Sequence, residues 1–510
     1  MKLDPVDLWV LGLYFGVILF LGFYFSRKNT NTEEYFVGGR SFPGWAIGLS
    51  LVGTSISSIT FLAYPGDAYK TAWLRFLPNL MLPVALIIAA YFFLPIFRRK
   101  KTTSAYEFLE DRFGPSVRVY GAVAFMIAQL VRLSTILYLL ALLVHELTGL
   151  DHVTCIVLSG MFVSIYTIIG GIDAVIWTDV LQTFVLVAGG VMCLYVIIDL
   201  LPNGFSDVFS IAETHGKLAF AELKDGELSA VSWDLSLLNK TGSMMLILGV
   251  TSWLTEYSSN QNTVQRYCAA KSEEEARKGM LICGLSSLPI WAFYMFLGTA
   301  LFAFYQVFPS SEAAMMLSGE QKAEQILPYF VLSELPPGLV GLVLAAALAA
   351  AMSSLDSSIN AISTVSIVDI YRRHLQPNKA DKHYLRVAWF VAVVVSCFMI
   401  AGAIYINQAE TKTLQDTATI LASLLGGGLL GLYLIGFFSK KGGVKSAWAG
   451  IAVTLIFTAW TISDKNGWLP EFMSMPFDAY YATLIGNVIM FVVIYFTASF
   501  VFDKPDNKVA

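Results

Sequence analysis

Apolar stretches of about twenty residues alternate with short polar segments along almost the whole chain. A helix rises about 1.5 Å per residue, so a stretch of that length crosses the roughly 30 Å hydrocarbon core of a bilayer. Thirteen spans are predicted, near 7–26, 44–66, 73–97, 118–147, 151–170, 175–201, 243–265, 279–305, 325–371, 385–406, 414–438, 444–462 and 479–502. The ninth is too long for one straight crossing. A short entry helix before Pro336-Pro337 and a cytoplasmic extension ending at Tyr371-Arg372-Arg373 are expected within it. The one long loop, about 202–242, is mildly acidic and has room for a short surface helix. The pattern predicts an all-α membrane protein, with 1–510 forming a single transmembrane domain in a lipid bilayer.

Charge sets the orientation. With the N-terminus outside, the segments 27–43, 98–118, 266–278, 372–386, 440–445 and 504–508 face the cytoplasm and hold 23 Lys and Arg, against eight on the other side. That bias follows the positive-inside rule and predicts a cytoplasmic C-terminus. The first apolar block lacks a basic leader and a small-residue cleavage site, so it reads as a retained helix.

Composition agrees. The chain is 56% hydrophobic and 14% charged, where a soluble protein carries about 25% charged residues. The net charge of −4 and the lack of a basic stripe argue against a nucleic-acid partner, and no obligate protein partner is evident. The cysteines (Cys155, Cys193, Cys268, Cys283, Cys397) are scattered without metal-ligand or CxxC spacing and read as small buried packing residues. No nucleophile–base pair stands out, so an enzyme is not expected.

Two spans carry polar interruptions. The second contains Gly53-Thr54-Ser55-Ile56-Ser57-Ser58-Ile59-Thr60; the seventh contains Gly249-Val250-Thr251-Ser252, then Glu256 and Ser258-Ser259-Asn260-Gln261-Asn262. Transporters often comprise two inverted halves, each opening with a helix broken at the bilayer midplane. Five helices separate the two starting points, and an odd number reverses topology. The layout is then one extra helix (7–26), a first repeat (44–201), a second (243–438) and two extra helices (444–502). A passive channel would need a continuous polar pore instead, and a solute sensor an appended output domain, for which the tail after about 502 is short.

The densest local chemistry lies at Ser353-Ser354-Leu355-Asp356-Ser357-Ser358-Ile359-Asn360. Ser353, Asp356, Ser357 and Asn360 stand at i, i+3, i+4 and i+7, one helical face. Four oxygen-bearing groups on a membrane helix suit a hard cation. Helix packing accounts for the serines but not for the aspartate. Asp179, early in the sixth span, either starts a helix near the cytosol or pairs with that serine face. Glu256 and Arg132 are intramembrane ionisable groups, hence functional candidates; the alternative is a structural ion pair between them. Asn260, one turn beyond Glu256, joins it as a candidate for solute. Arg75 either belongs to the solute site or snorkels to the outer interface. Gly426-Gly427-Gly428 lacks the following Lys-Ser/Thr of a phosphate loop and reads as a hinge or a close helix contact.

With these residues the chain resembles the sodium:solute symporter family, which includes bacterial sialic-acid, galactose and proline symporters and the mammalian glucose and iodide carriers. The resemblance runs from the first span to about 438. It rests on Glu34-Tyr35-Phe36-Val37-Gly38-Gly39-Arg40, on Ser57-Ser58-Ile59-Thr60-Phe61, and on Gly170-Gly171-Ile172 through Trp177-Thr178-Asp179. Val264-Gln265-Arg266-Tyr267 and Ser353-Ser354 through Asp369-Ile370-Tyr371 complete it, and the sialic-acid carriers are the most similar members. The resemblance implies a leucine-transporter-like five-plus-five inverted repeat in the cell inner (plasma) membrane, with one or two sodium ions as coupling ions. A general sodium site would use carbonyls of Gly53, Ile56 and Ala350 with hydroxyls of Ser353 and Ser354. A second would use Asp179, Ser353, Asp356 and Ser357, with Asp356 in place of the carriers' hydroxyl residue. The solute pocket maps onto Ser55, Ser57, Thr60, Asn79 and Arg132. Asn79 stands for a glutamine and Arg75 for an aromatic, while the carboxylate-gripping arginine is kept as Arg132. The implied cargo is a small polar solute, an anionic sugar such as sialic acid or another sugar acid; a neutral sugar or other small metabolite is the alternative.

Overall fold

Helices begin where the chain supplies caps. Asp4 accepts a hydrogen bond from Val6 N at 2.9 Å and Pro5 follows it, which starts α1 (Pro5–Ser26). The computed structural model describes residues 3–27, 29–224, 227–408 and 427–502. After α1 come α2 (Gly44–Ser55), α3 (Tyr64–Lys70), α4 (Leu74–Arg99), α5 (Pro115–Thr148) and α6 (His152–Leu200). Then follow α7 (Gly242–Ser259), α8 (Gln261–Ala269), α9 (Glu273–Val307), α10 (Leu339–Val365), α11 (Asp381–Gln408), α12 (Leu429–Phe438), α13 (Val444–Lys465) and α14 (Ala482–Thr497). Asp151 caps α6 through Thr154 N, and Ser272 caps α9 ahead of three glutamates that favour its N-terminal dipole.

Among the described residues nine helices are long and apolar enough to cross a membrane, and the bent pair α2–α3 makes a tenth. The chain is therefore an all-α, multi-pass membrane protein. At 49 residues α6 is more than twice the length of one crossing. It turns at Gly171, whose φ of 59° suits glycine and where a Cβ would lie 2.7 Å from the Tyr35 ring. This matches the separate spans expected at 151–170 and 175–201.

Both expected interruptions exist. The helix of α2 ends at Ser55 and resumes bent by 62°. The seventh span stays helical through Gly249–Ser252 and breaks in the later part of its polar stretch, at Asn260, whose φ of −83° and ψ of 115° are extended. Gly249 serves packing: it lets α7 lie against the Pro78 carbonyl. The ninth span divides as expected, with a helix Ile326–Glu334 before Pro336-Pro337 and a helical extension of α10 to Leu375. Most of the most apolar stretch of α10 (89%) is buried, against at most 44% in the other spans, so α10 is the central helix. It packs most extensively on α6.

The long loop holds the expected helix, Phe205–Thr214, and an unexpected hairpin of β1 (Ala221–Lys224) and β2 (Glu227–Ala230) with Leu223 opposite Leu228. Residues 414–426 of the eleventh span, Gly426 included, lie outside the described residues; Gly428 opens α12 close against Thr454 and Met490. Four cysteines are buried as expected, but Cys397 is exposed on α11, where a small apolar thiol suits lipid.

Candidate cation and solute sites

The break after Ser55 frees backbone carbonyls at the end of α2, because Ile56 is extended (φ −101°, ψ 98°). The Ser353 hydroxyl of α10 donates to Gly53 O at 3.0 Å and to Ala350 O at 3.3 Å. The Ser354 hydroxyl, next to it, is buried without a partner. Gly53, Ile56 and Ser353 line one void together with Gln182, Thr183, Leu186 and Ala349. Gly53 allows a close approach here: a Cβ would sit 3.0 Å from Thr183 Oγ1 and 3.2 Å from Asp179 O, tighter than ordinary contact. Three carbonyls and two hydroxyls fit a hard monovalent ion, which takes oxygen ligands. Among the described residues no group of three or more His, Cys, Asp or Glu suits a softer metal.

A second cluster lies deeper along α6 and α10. Asp179 and Asp356 are both fully buried. Asp179 Oδ2 accepts from Ser50 Oγ at 2.6 Å and from Arg266 Nη2 at 2.8 Å. Arg266 also bonds Ser50 Oγ (2.8 Å), Asn262 O (2.7 Å) and the Ser357 hydroxyl. Asp356 accepts from Tyr166 OH at 2.9 Å, Thr178 Oγ1 at 3.4 Å and Ser357 Oγ at 3.2 Å. Asp179 thus has the Arg266 guanidinium as its cation, while Asp356 is held by hydroxyl donors alone and has no ion pair among the described residues, an arrangement that favours a further cation. Asn360, expected on the cation face, instead accepts from Gln265 Nε2 at 2.7 Å.

The solute candidates lie at several places. Ser57 and Thr60 are buried beside the break of α2, with Ser55 partly buried. Asn79 donates to Tyr64 OH at 2.7 Å, and Arg75 pairs with Asp67. Glu256 accepts from Asn260 Nδ2 at 2.8 Å and Thr263 Oγ1 at 2.5 Å, so it braces its own helix break. The alternative of an Arg132–Glu256 pair is not formed. Arg132 is half-buried on α5 and has no hydrogen bond or ion pair among the described residues.

Sequence reasoning placed Arg266 among the cytoplasmic charges, yet it is 1% exposed inside the bundle. It missed Gln182, Ser50 and Tyr166 as well; nothing in their spacing distinguishes them from packing residues. Beyond the end of α10 Arg118 bonds Asp369 and Glu110, each at 2.6 Å, and Arg373 reaches Glu110 at 3.0 Å. Burial raises the Glu110 carboxyl, but Arg373 and Arg118 outweigh it and hold the group below the usual range.

A model of the sodium:solute symporter family matches residues 35–453. The sodium/sialic acid symporter of Proteus mirabilis is 34% identical, over 88% of this chain and 87% of its own length. The sodium/glucose cotransporter of Vibrio parahaemolyticus is 30% identical, over 97% and 90%. The solved structure of a Na+-coupled sialic acid symporter, substrate-bound and outward-open with a novel sodium site, superposes with a TM-score of 0.86. It is 30% identical and covers 98% of this chain and 99% of its own.

Proposed function

The chain belongs to the sodium:solute symporter family and is a sodium-coupled symporter of a small polar solute, and from that premise we propose that the solute is an anionic sugar gripped by Arg132. The unpaired Arg132 guanidinium carries this reading. A charge held within a membrane bundle is costly without a counter-ion. A solute carboxylate supplies one, and the guanidinium fork matches it with two parallel hydrogen bonds. Sialic acid or another sugar acid fits that chemistry. A neutral sugar is the second reading, favoured by the likeness to a glucose cotransporter.

Coupling follows from where the ligands stand. The general sodium site draws on Gly53 and Ile56 of the broken α2 and on Ala350, Ser353 and Ser354 of α10. A bound ion ties the two elements, and the solute residues Ser55, Ser57 and Thr60 follow directly in the same break. A second sodium near Asp179, Ser353, Asp356 and Ser357 would supply the cation that Asp356 lacks. Asn79, Arg75, Glu256 and Asn260 shape the solute path through Tyr64, Asp67 and Thr263.

The architecture in this reading is a five-plus-five inverted repeat with α1 before it and α13 and α14 after it. The breaks in α2–α3 and α7–α8 support it, opening the two halves at corresponding places. The N-terminus lies outside and the C-terminus in the cytoplasm. The test is uptake into proteoliposomes with and without an inward sodium gradient, offering sialic acid, a uronate and a neutral hexose. Sodium-driven accumulation of an acid but not the hexose is expected; accumulation of the hexose alone would refute the anionic assignment.

A further inference from the structure

We propose that Gln182 is a sixth ligand of the general sodium site, its side-chain oxygen closing the ion from the α6 side. This rests on the sodium site proposed above. Gln182 stands on α6 one turn beyond Asp179 and is 1% exposed. Its Oε1 and Nε2 are both buried and neither makes a hydrogen bond of good geometry, the Tyr14 hydroxyl being the polar group near the amide. A buried orphan amide in a native structure calls for a missing partner, and an ion is one such partner. Gln182 lines the same void as Gly53, Ile56 and Ser353.

The surrounding groups are already engaged. Thr183 Oγ1 donates to Asp179 O at 2.8 Å, and Ser353 Oγ donates to Gly53 O at 3.0 Å. The Tyr14 hydroxyl, also near Gln182, donates to Met352 Sδ at 3.7 Å. An amide with Nε2 turned toward Tyr14 presents Oε1 to the void. That oxygen is a hard, neutral donor, as the site's carbonyls and hydroxyls are, so it adds coordination without adding charge. The close approach at Gly53 holds the freed carbonyls of α2 against the Asp179–Thr183 turn, bringing Gln182 within the same shell. The sodium would then join three elements, α2, α6 and α10. Through α6 its arrival would be felt at Asp179, three residues earlier.

The experiment uses the purified full-length protein in detergent. Its thermal melting is titrated with sodium chloride at constant ionic strength against choline chloride, alongside sodium-dependent uptake in proteoliposomes. Gln182→Leu should raise the half-saturating sodium in both assays by about tenfold, the scale of one lost ion contact. Its melting in choline should stay at or above wild type, because the orphan amide is gone. Gln182→Glu restores an oxygen and should bring half-saturation back toward wild type. Ser353→Ala serves as the marker of the site itself. If Ser353→Ala shifts the sodium dependence and Gln182→Leu does not, Gln182 is no ligand and the site stands. If neither shifts it, the site assignment itself fails and takes this inference with it. Should Gln182→Leu not fold, Gln182→Asn, which withdraws the oxygen by one methylene, decides: unchanged half-saturation overturns the proposal.

Discussion

Replacing Arg132 by alanine should cost binding of an acidic solute and leave the fold intact. The guanidinium has no partner among the described residues, so its removal strands no carboxylate of the protein. The loss falls on the solute. Truncating one side of a buried, hydrogen-bonded charge pair costs about 2–5 kcal/mol, at least thirtyfold in Kd. Arg132→Lys keeps the charge and loses the fork, so it should bind poorly too. Arg266→Ala is the contrast: it leaves the fully buried Asp179 without its cation, at about 3–5 kcal/mol of stability. Calorimetry in detergent with an acidic sugar and its neutral amide, paired with melting curves, separates the two arginines. Equal binding of acid and amide to the unmutated protein would refute the reasoning. So would an Arg132→Ala protein that melts as low as Arg266→Ala.

The double change Asp179→Asn/Arg266→Met should melt well above Arg266→Ala alone, since it removes both charges of a buried pair together; equal melting would remove their coupling. Reversal potentials in proteoliposomes should give more than one sodium per solute, lowered by Asp179→Asn, and a ratio of one in the unmutated protein would exclude the second site. Lys217 in the long loop 202–242 is 3% exposed, donates to Tyr69 O (2.7 Å) and Thr71 O (2.9 Å), and burial pushes its pKa from 10.5 down to about 7. The unfolded chain therefore binds more protons between about pH 7 and 10.5, and stability contributed here should rise with pH across that window, an effect that Lys217→Met should abolish in melting curves against pH. A wild-type profile as flat as the mutant's would contradict the burial.

The helical layout was legible because bilayer thickness and backbone satisfaction leave a membrane chain few options. Even the turn at Gly170-Gly171 and the split at Pro336-Pro337 followed from glycine and proline chemistry. The hairpin β1–β2 was missed although Asp225-Gly226 is a strong two-residue turn signal; within a long polar loop it carried no alternating run to support it. The general cation site was readable as far as one element carried it, Ser353-Ser354 on α10 and the Gly53–Ile56 break on α2. The second cluster, around Asp179 and Asp356, is tertiary. Arg266 reaches Asp179 across 87 positions and Ser50 across 216, and no local period records such distances.

The two arginines show where the sequence rule stops. A membrane-embedded charge marks function by default, and that rule singles out Arg132 but passes over Arg266, which follows a helix break and reads as a loop residue. The structure reverses part of the weight. Arg266 is more deeply buried, but its four hydrogen-bonding contacts complete it, and a complete ion pair is a structural element as much as a functional one. Arg132 is less buried and incomplete. Glu256, the partner considered for it, is held by Asn260 and Thr263 at the break of the seventh span. With its carboxylate engaged there, Glu256 is no counter-ion for Arg132, and the solute carboxylate proposed in its place is what the comparison of acid and amide tests.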